Sequence, residues 1–210
     1  GGPCEDVANK ITVHSEGYMY ITGAFGCTAR MGSISVQAAG VTFTDVFTAR
    51  LDPAGDFLWV RTGGSDQPYP EAGYALALDV DGSVYVGGAY AGPGVRFGTN
   101  NLMHWGDLDA FVARYDKDGN FSLIHMMGSP GRDLVLSITI GPDGQPYCCG
   151  SFQQTLNVGG GRSLKAAGGT DIFVANKSFA QSYGGPGDDY AHAITWGAGL
   201  AITGSFENSI

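Results

Sequence analysis

The chain has 210 residues, 35 of them glycine; only 15% are charged, and the formal net charge is −9. That acidic balance repels nucleic-acid phosphates and anionic membrane surfaces, and no basic patch reverses it locally. No apolar run approaches the ~20 residues that cross a bilayer, the glycines keep no collagen register, and the length allows one sizeable core.

The chain opens on Gly1-Gly2-Pro3-Cys4-Glu5-Asp6-Val7-Ala8-Asn9-Lys10-Ile11-Thr12 and repeats that phrase. A looser copy starts at Gly63-Gly64; closer ones are Gly128-Ser129-Pro130-Gly131-Arg132-Asp133-Leu134 and Gly184-Gly185-Pro186-Gly187-Asp188-Asp189-Tyr190. With Val7, Tyr74, Leu134 and Tyr190 taken as equivalent, the period is roughly 60 residues, the length of a small supersecondary unit that must stack on its neighbours. The copies run approximately 1–62, 63–127, 128–183 and an incomplete 184–210.

The first copy predicts strands at Ile11-Thr12-Val13, Tyr18-Met19-Tyr20-Ile21-Thr22-Gly23, Asp45-Val46-Phe47-Thr48-Ala49-Arg50-Leu51 and Phe57-Leu58-Trp59-Val60. The second is clearest: Tyr74-Ala75-Leu76-Ala77-Leu78-Asp79, Ser83-Val84-Tyr85-Val86-Gly87-Gly88-Ala89-Tyr90, Asp109-Ala110-Phe111-Val112-Ala113-Arg114-Tyr115 and Phe121-Ser122-Leu123-Ile124-His125-Met126. Asp-Gly turns between these runs read as hairpins. The third copy predicts Leu134 to Ile140, Tyr147 to Phe152 and Asp171-Ile172-Phe173-Val174-Ala175, then loses its outer turn around Asn176-Lys177-Ser178. The fourth supplies Tyr190 to Trp196 and Leu200 to Phe206. No helical period appears. The expectation is an all-β propeller of four-stranded antiparallel blades, three and a half of them from 14 strands at most, inside a ring of roughly 4 to 8 blades. The rest of the ring is expected from a longer chain or from a homo-oligomeric partner.

The order Asp81-Gly82-Ser83-Val84-Tyr85-Val86-Gly87-Gly88, Gly168-Gly169-Thr170-Asp171-Ile172-Phe173-Val174-Ala175 and Asp52-Pro53-Ala54-Gly55-Asp56-Phe57-Leu58-Trp59 resembles the SBBP repeat, a β-propeller repeat of bacterial secreted and surface proteins. The likeness spans essentially the whole chain, departing at the insert Gln67 to Ala72 and at the third outer turn. It implies a propeller, typically seven-bladed and extracellular, and carries no catalytic residues.

In an up-and-down meander the long connections, 25 to 44, 62 to 73, 91 to 108 and 153 to 170, share one end. Binding groups gather on such loops. Tyr69, Arg96, Phe97, His104, Trp105 and Asp107 are the candidate contacts for a protein or glycan ligand, with Phe97 and Trp105 also readable as packing beneath their own loop. Asp45, Asp109 and Asp171, each two residues before a Phe, are read as acceptors for backbone N–H groups where the loop enters the third strand, as are Asp6, Asp133 and Asp189 before the first strands. The turns Asp79-Val80-Asp81-Gly82 and Asp116-Lys117-Asp118-Gly119 lack the third acid and distal Glu of a calcium loop and are read as structural. Cys4 and Cys27 flank one hairpin symmetrically and can pair; Cys148 and Cys149, adjacent on a strand, should face opposite ways.

His14, His104, His125 and His192 share no ligand spacing, and no nucleophile elbow or phosphate loop occurs, so no catalytic group, metal or cofactor is assigned. The sequence supports a non-enzymatic extracellular structural or adhesive module. The alternatives are a carbohydrate-active enzyme using Asp66 or Glu71 with Asp107, and a subunit of an extracellular homopolymer joined through open strand edges.

Overall fold

A computed structural model describes residues 1–40 and 43–207; Val41 and Thr42 of the 25-to-44 connection and residues 208–210 of the fourth copy lie outside them. The chain is all-β, 62% strand, with no helix and no closed ring among the described residues. Four antiparallel meanders follow one another. The first joins β1 (Asp6–Val13), β2 (Met19–Gly26), β5 (Thr44–Leu51) and β6 (Phe57–Gly64). The second joins β7 (Ala72–Leu78), β8 (Val84–Tyr90), β11 (Asp109–Tyr115) and β12 (Phe121–Met127). The third joins β13 (Leu134–Ile140), β14 (Pro146–Gly159), β15 (Arg162–Ala175) and β16 (Ala180–Tyr183), and the last pairs β17 (Tyr190–Trp196) with β18 (Leu200–Ser205).

Three of the long connections, 25 to 44, 91 to 108 and 153 to 170, are themselves hairpins, and the first two of these raise the strand total among the described residues from the expected 14 to 18. β3 (Thr28–Met31) pairs β4 (Ile34–Gln37), and β9 (Arg96–Phe97) pairs β10 (Asn100–Asn101). β14 and β15 simply run on to 14 residues each. All three turn on two residues that include left-handed glycine: Gly32, Gly98, and Gly160 with Gly161. β9 also adds to the edge of β6, so the second sheet's connection extends the first sheet. The third copy keeps its four strands, as counted from the sequence, and its outer turn is shortened rather than lost. A compact turn, Asn176 N–H to Phe179 C=O at 2.9 Å, replaces the longer one.

Opposite these hairpins, the tight turns share one construction. Residues 14–18, 52–56, 79–83, 116–120 and 141–145 each close with the same pair of backbone hydrogen bonds around a left-handed glycine. Asp52 and Asp116 cap their turns by accepting two backbone N–H groups at 2.8 to 2.9 Å.

Every first strand carries a one-residue bulge, at Asn9, Tyr74, Leu136 and His192. The bulge drives a carbonyl against the second strand. A Cβ on Gly23, Gly88 or Gly150 would lie 1.9, 2.0 or 1.7 Å from the oxygen of Val7, Ala72 or Leu134, so those positions accept only glycine. The bulges also correct the frame of the second copy: Ala72, not Tyr74, is the partner of Val7, Leu134 and Tyr190. The acid that precedes it is therefore Glu71.

First strands of consecutive sheets are neighbours, β1 to β7, β7 to β13 and β13 to β17. Asn9 Nδ2 donates to Gly73 O at 2.9 Å across the first of these contacts. The middle strands are therefore covered on both faces, as with β8, all seven residues of which are buried, and they read as continuous apolar runs rather than alternating ones. Apolar clusters fill each junction. The β3–β4 hairpin folds Ala29 and Met31 over Phe25 and Phe47 on the outward face of the first sheet. Beyond that cover Val7, Ile11 and Val13 of β1 stay exposed, as do Tyr190 and Phe206 at the other extremity.

Candidate functional site

The hairpin end concentrates the buried acids. At the start of each third strand a carboxylate closes the preceding hairpin: Asp45 accepts from Ala39 N, Asp109 from Trp105 N and Asp171 from Ala167 N, each at 2.8 Å. At the start of each first strand a second carboxylate closes the connection between sheets. Asp6 accepts from Gly2 N, Asp133 from Ser129 N at 2.6 Å, and Asp189 from Gly185 N at 2.7 Å. Glu71 holds the corresponding place in the second copy, taking the Ser65 hydroxyl at 3.0 Å as Asp133 takes that of Ser129. Its extra methylene spans the lengthened insert.

The two sets meet where sheets join, as Asp45 with Glu71, Asp109 with Asp133, and Asp171 with Asp189. All six are at least 97% shielded from solvent, Asp45 being the most exposed at 3%. Loss of hydration raises the carboxyl of Asp45 to about 6, Asp133 to about 7 and Glu71 to about 9, and raises that of Asp109 as well. Asp109 Oδ1 and Glu71 Oε2 are buried without a hydrogen-bond partner.

The six candidate contact residues do not converge on one pocket. Phe97 is not a surface contact: it is fully buried, its ring 4.7 Å from that of Phe111, because β9 is drawn onto β6. Trp105 is half-buried and lies against Gly128. Tyr69 is 42% exposed, but its ring lies against Gly92, where a Cβ would meet it at 2.2 Å. His104 is exposed and its Nδ1 sits 3.2 Å from Asp109 Oδ2. Asp107 faces Arg132 at 4.0 Å on the surface, and Arg96 rims a shallow cavity with Asp66 and Ser65. Of the three acids considered for hydrolysis, Glu71 is consumed in loop closure, while Asp66 and Asp107 are exposed. Alignment on the serine six residues ahead of Glu71, rather than on aromatic Tyr74, is the signal that identifies its role.

Elsewhere the chemistry is structural. Cys4 and Cys27 form a disulfide with Cα atoms 5.8 Å apart, continuing the register that pairs Asp6 with Phe25. The thiols of Cys148 and Cys149 lie in different apolar clusters on opposite faces of the third sheet, and burial pushes both up to about 12. A largely apolar cleft of about 190 Å³ opens between the second and third sheets beside Tyr85, His125, Pro146 and Cys148. Among the described residues no three His, Cys, Asp or Glu side chains gather as a metal site, and no helix is long and apolar enough to cross a membrane. Compared with known family models and with curated proteins, the chain matches none.

Proposed function

We propose that this chain is a stretch of an SBBP-like β-propeller, extracellular and non-enzymatic, that presents its hairpin end to a protein or glycan ligand. The repeated meanders, with consecutive first strands as neighbours, support radial stacking about an axis on that side. The disulfide suits an oxidising exterior. The observation that carries the non-enzymatic part is the fate of the acids: six of the carboxylates at the binding end are buried in backbone closure and repeat from junction to junction. An active site needs one asymmetric constellation, not a repeated one. Left for contact are His104, Asp107 and Arg96 on the 91–108 connection and Tyr69 on the 62–73 connection between the first two sheets.

The bare Val7, Ile11 and Val13 and the outer edge of β18 favour further strands of the same kind, from more chain or from a second copy. The test is a binding screen of the chain on glycan arrays and against surface-protein extracts, run with a parallel assay for released sugars. Retention that weakens on His104→Ala and Arg96→Ala, without product, supports the reading. Release of sugar that vanishes in Asp107→Asn or Asp66→Asn replaces it with hydrolysis.

A further inference from the structure

We propose that the two carboxyl pairs Asp45 with Glu71 and Asp109 with Asp133 make the stacking of the first three sheets proton-dependent, firm in mildly acidic surroundings and looser as the medium turns alkaline. Each pair joins the third strand of one sheet to the first strand of the next, so its state bears on the junction rather than on one loop. The space is tight: a Cβ on Gly64 would meet the Asp45 carboxyl at 2.2 Å, and one on Gly128 would meet Asp109 Oδ1 at 2.3 Å.

Few groups offset the negative charge. Glu71 faces the Ser65 hydroxyl and Asp45, while Asp45 faces Ala39 N–H and Glu71. Asp66 and Arg96 sit outside Ser65 on the cavity rim. Asp133 faces Ser129, Gln153 N–H and Asp109. Asp109 faces the Trp105 N–H at 2.8 Å, Asp133, the His104 imidazole and the Tyr90 ring, whose hydroxyl donates to Met103 O. Arg132, next to Asp133 in sequence, turns outward to Asp107. Two acids at one dry junction cannot both ionise cheaply, and Glu71 Oε2 and Asp109 Oδ1 have no donor that would stabilise a charge.

The sign follows from proton counts. These carboxyls hold protons in the folded state up to about 6 for Asp45, about 7 for Asp133 and about 9 for Glu71, whereas unfolded carboxyls release them near 4. Between those values the folded state binds more protons, so its advantage is complete near pH 4 and drains away as pH rises to about 9.

The experiment is urea denaturation of the chain from pH 4.5 to pH 9, with ¹³C titration of the Glu71 and Asp133 carboxyl carbons in the wild type. The urea midpoint should fall steadily across that range. Glu71→Gln and Asp133→Asn should each flatten the fall by up to tenfold in the unfolding constant per pH unit within the window of the removed group. The two carboxyl carbons should still report protonated groups at pH 6. A midpoint that is level or rising with pH, or both carboxyls titrating below pH 5, overturns the proposal. The carbon titration needs no variant and decides the matter even if neither substitution folds.

Discussion

The junction between the first and second sheets and the junction between the third and fourth are built on the same strand order but held by different forces. The first is aromatic. Tyr20 and Trp59 meet Tyr90, Phe97, Phe111 and Tyr115, with Trp59 and Tyr115 ring centroids 6.1 Å apart. Of its acids, Asp45 and Glu71, both carboxyls are raised, and Glu71 Oε2 is buried without a partner. The other has only Cys149, Ile172, Val174, Ala191 and Ile194 at its centre. There the polar groups carry the contact: Asp189 N–H to Thr170 O at 2.6 Å, Thr170 N–H to Asp188 Oδ1 at 2.8 Å, and the serines Ser151 and Ser137 accepting from Ala191 and Ile194. Where apolar burial is ample the fold tolerates an imperfectly bonded acid; where burial is thin both oxygens of Asp171 and of Asp189 are bonded.

The largest effect that would break this contrast is Phe97→Ala. The ring is wholly buried between two sheets, and its loss should cost about 3 to 5 kcal/mol in urea denaturation, cavity included. A cost below about 1 kcal/mol would mean the aromatic cluster is not what holds the first junction. Next comes Asp189→Ala. It strands the amides of Gly185 and Glu207, bonded now at 2.7 and 2.9 Å, and each buried group left without its bond costs about 1 to 3 kcal/mol. Hydrogen exchange should quicken in β17 and β18 first, since a two-stranded sheet has little else to hold it. Equal loosening of β1 and β2 would dissolve the distinction between junctions.

The sequence made the strands and the tight turns legible because both rest on local chemistry: β-branched and aromatic runs, and Asp-Gly turns with one glycine of positive φ. The carboxylates Asp45, Asp109 and Asp171 were readable for the same reason, since a short acid before a strand has few acceptable uses. Three things were not. Thr28-Ala29-Arg30-Met31 and Arg96-Phe97 are too short and polar to signal strands, and they pair only because neighbouring sheets offer an edge and a face. The bulges depend on a partner strand, so Tyr74 looked like the start of a frame when it is the extra residue. Glu71 was hidden by the insert before it, and its apparent availability as a catalytic acid came from that misplacement. Burial, a tertiary property, likewise removed Phe97 from the surface.

A smaller change tests the same contrast at the turn end. Trp59 Nε1 donates to Lys117 O at 3.0 Å, and Arg50 Nη1 donates to the same oxygen at 2.7 Å. Trp59→Phe keeps an aromatic ring against Tyr115 but removes one of two donors, so the carbonyl remains satisfied and the cost should be about 1 kcal/mol. In an Arg50→Met background the same change leaves Lys117 O with neither side-chain donor. The penalty for Trp59→Phe should then grow by about 1 kcal/mol, read as the coupling term of a double-mutant cycle. Additive losses would mean that the polar contacts at this junction are incidental and that its aromatic packing alone orients the outer turn, which would make the two junctions differ more sharply still.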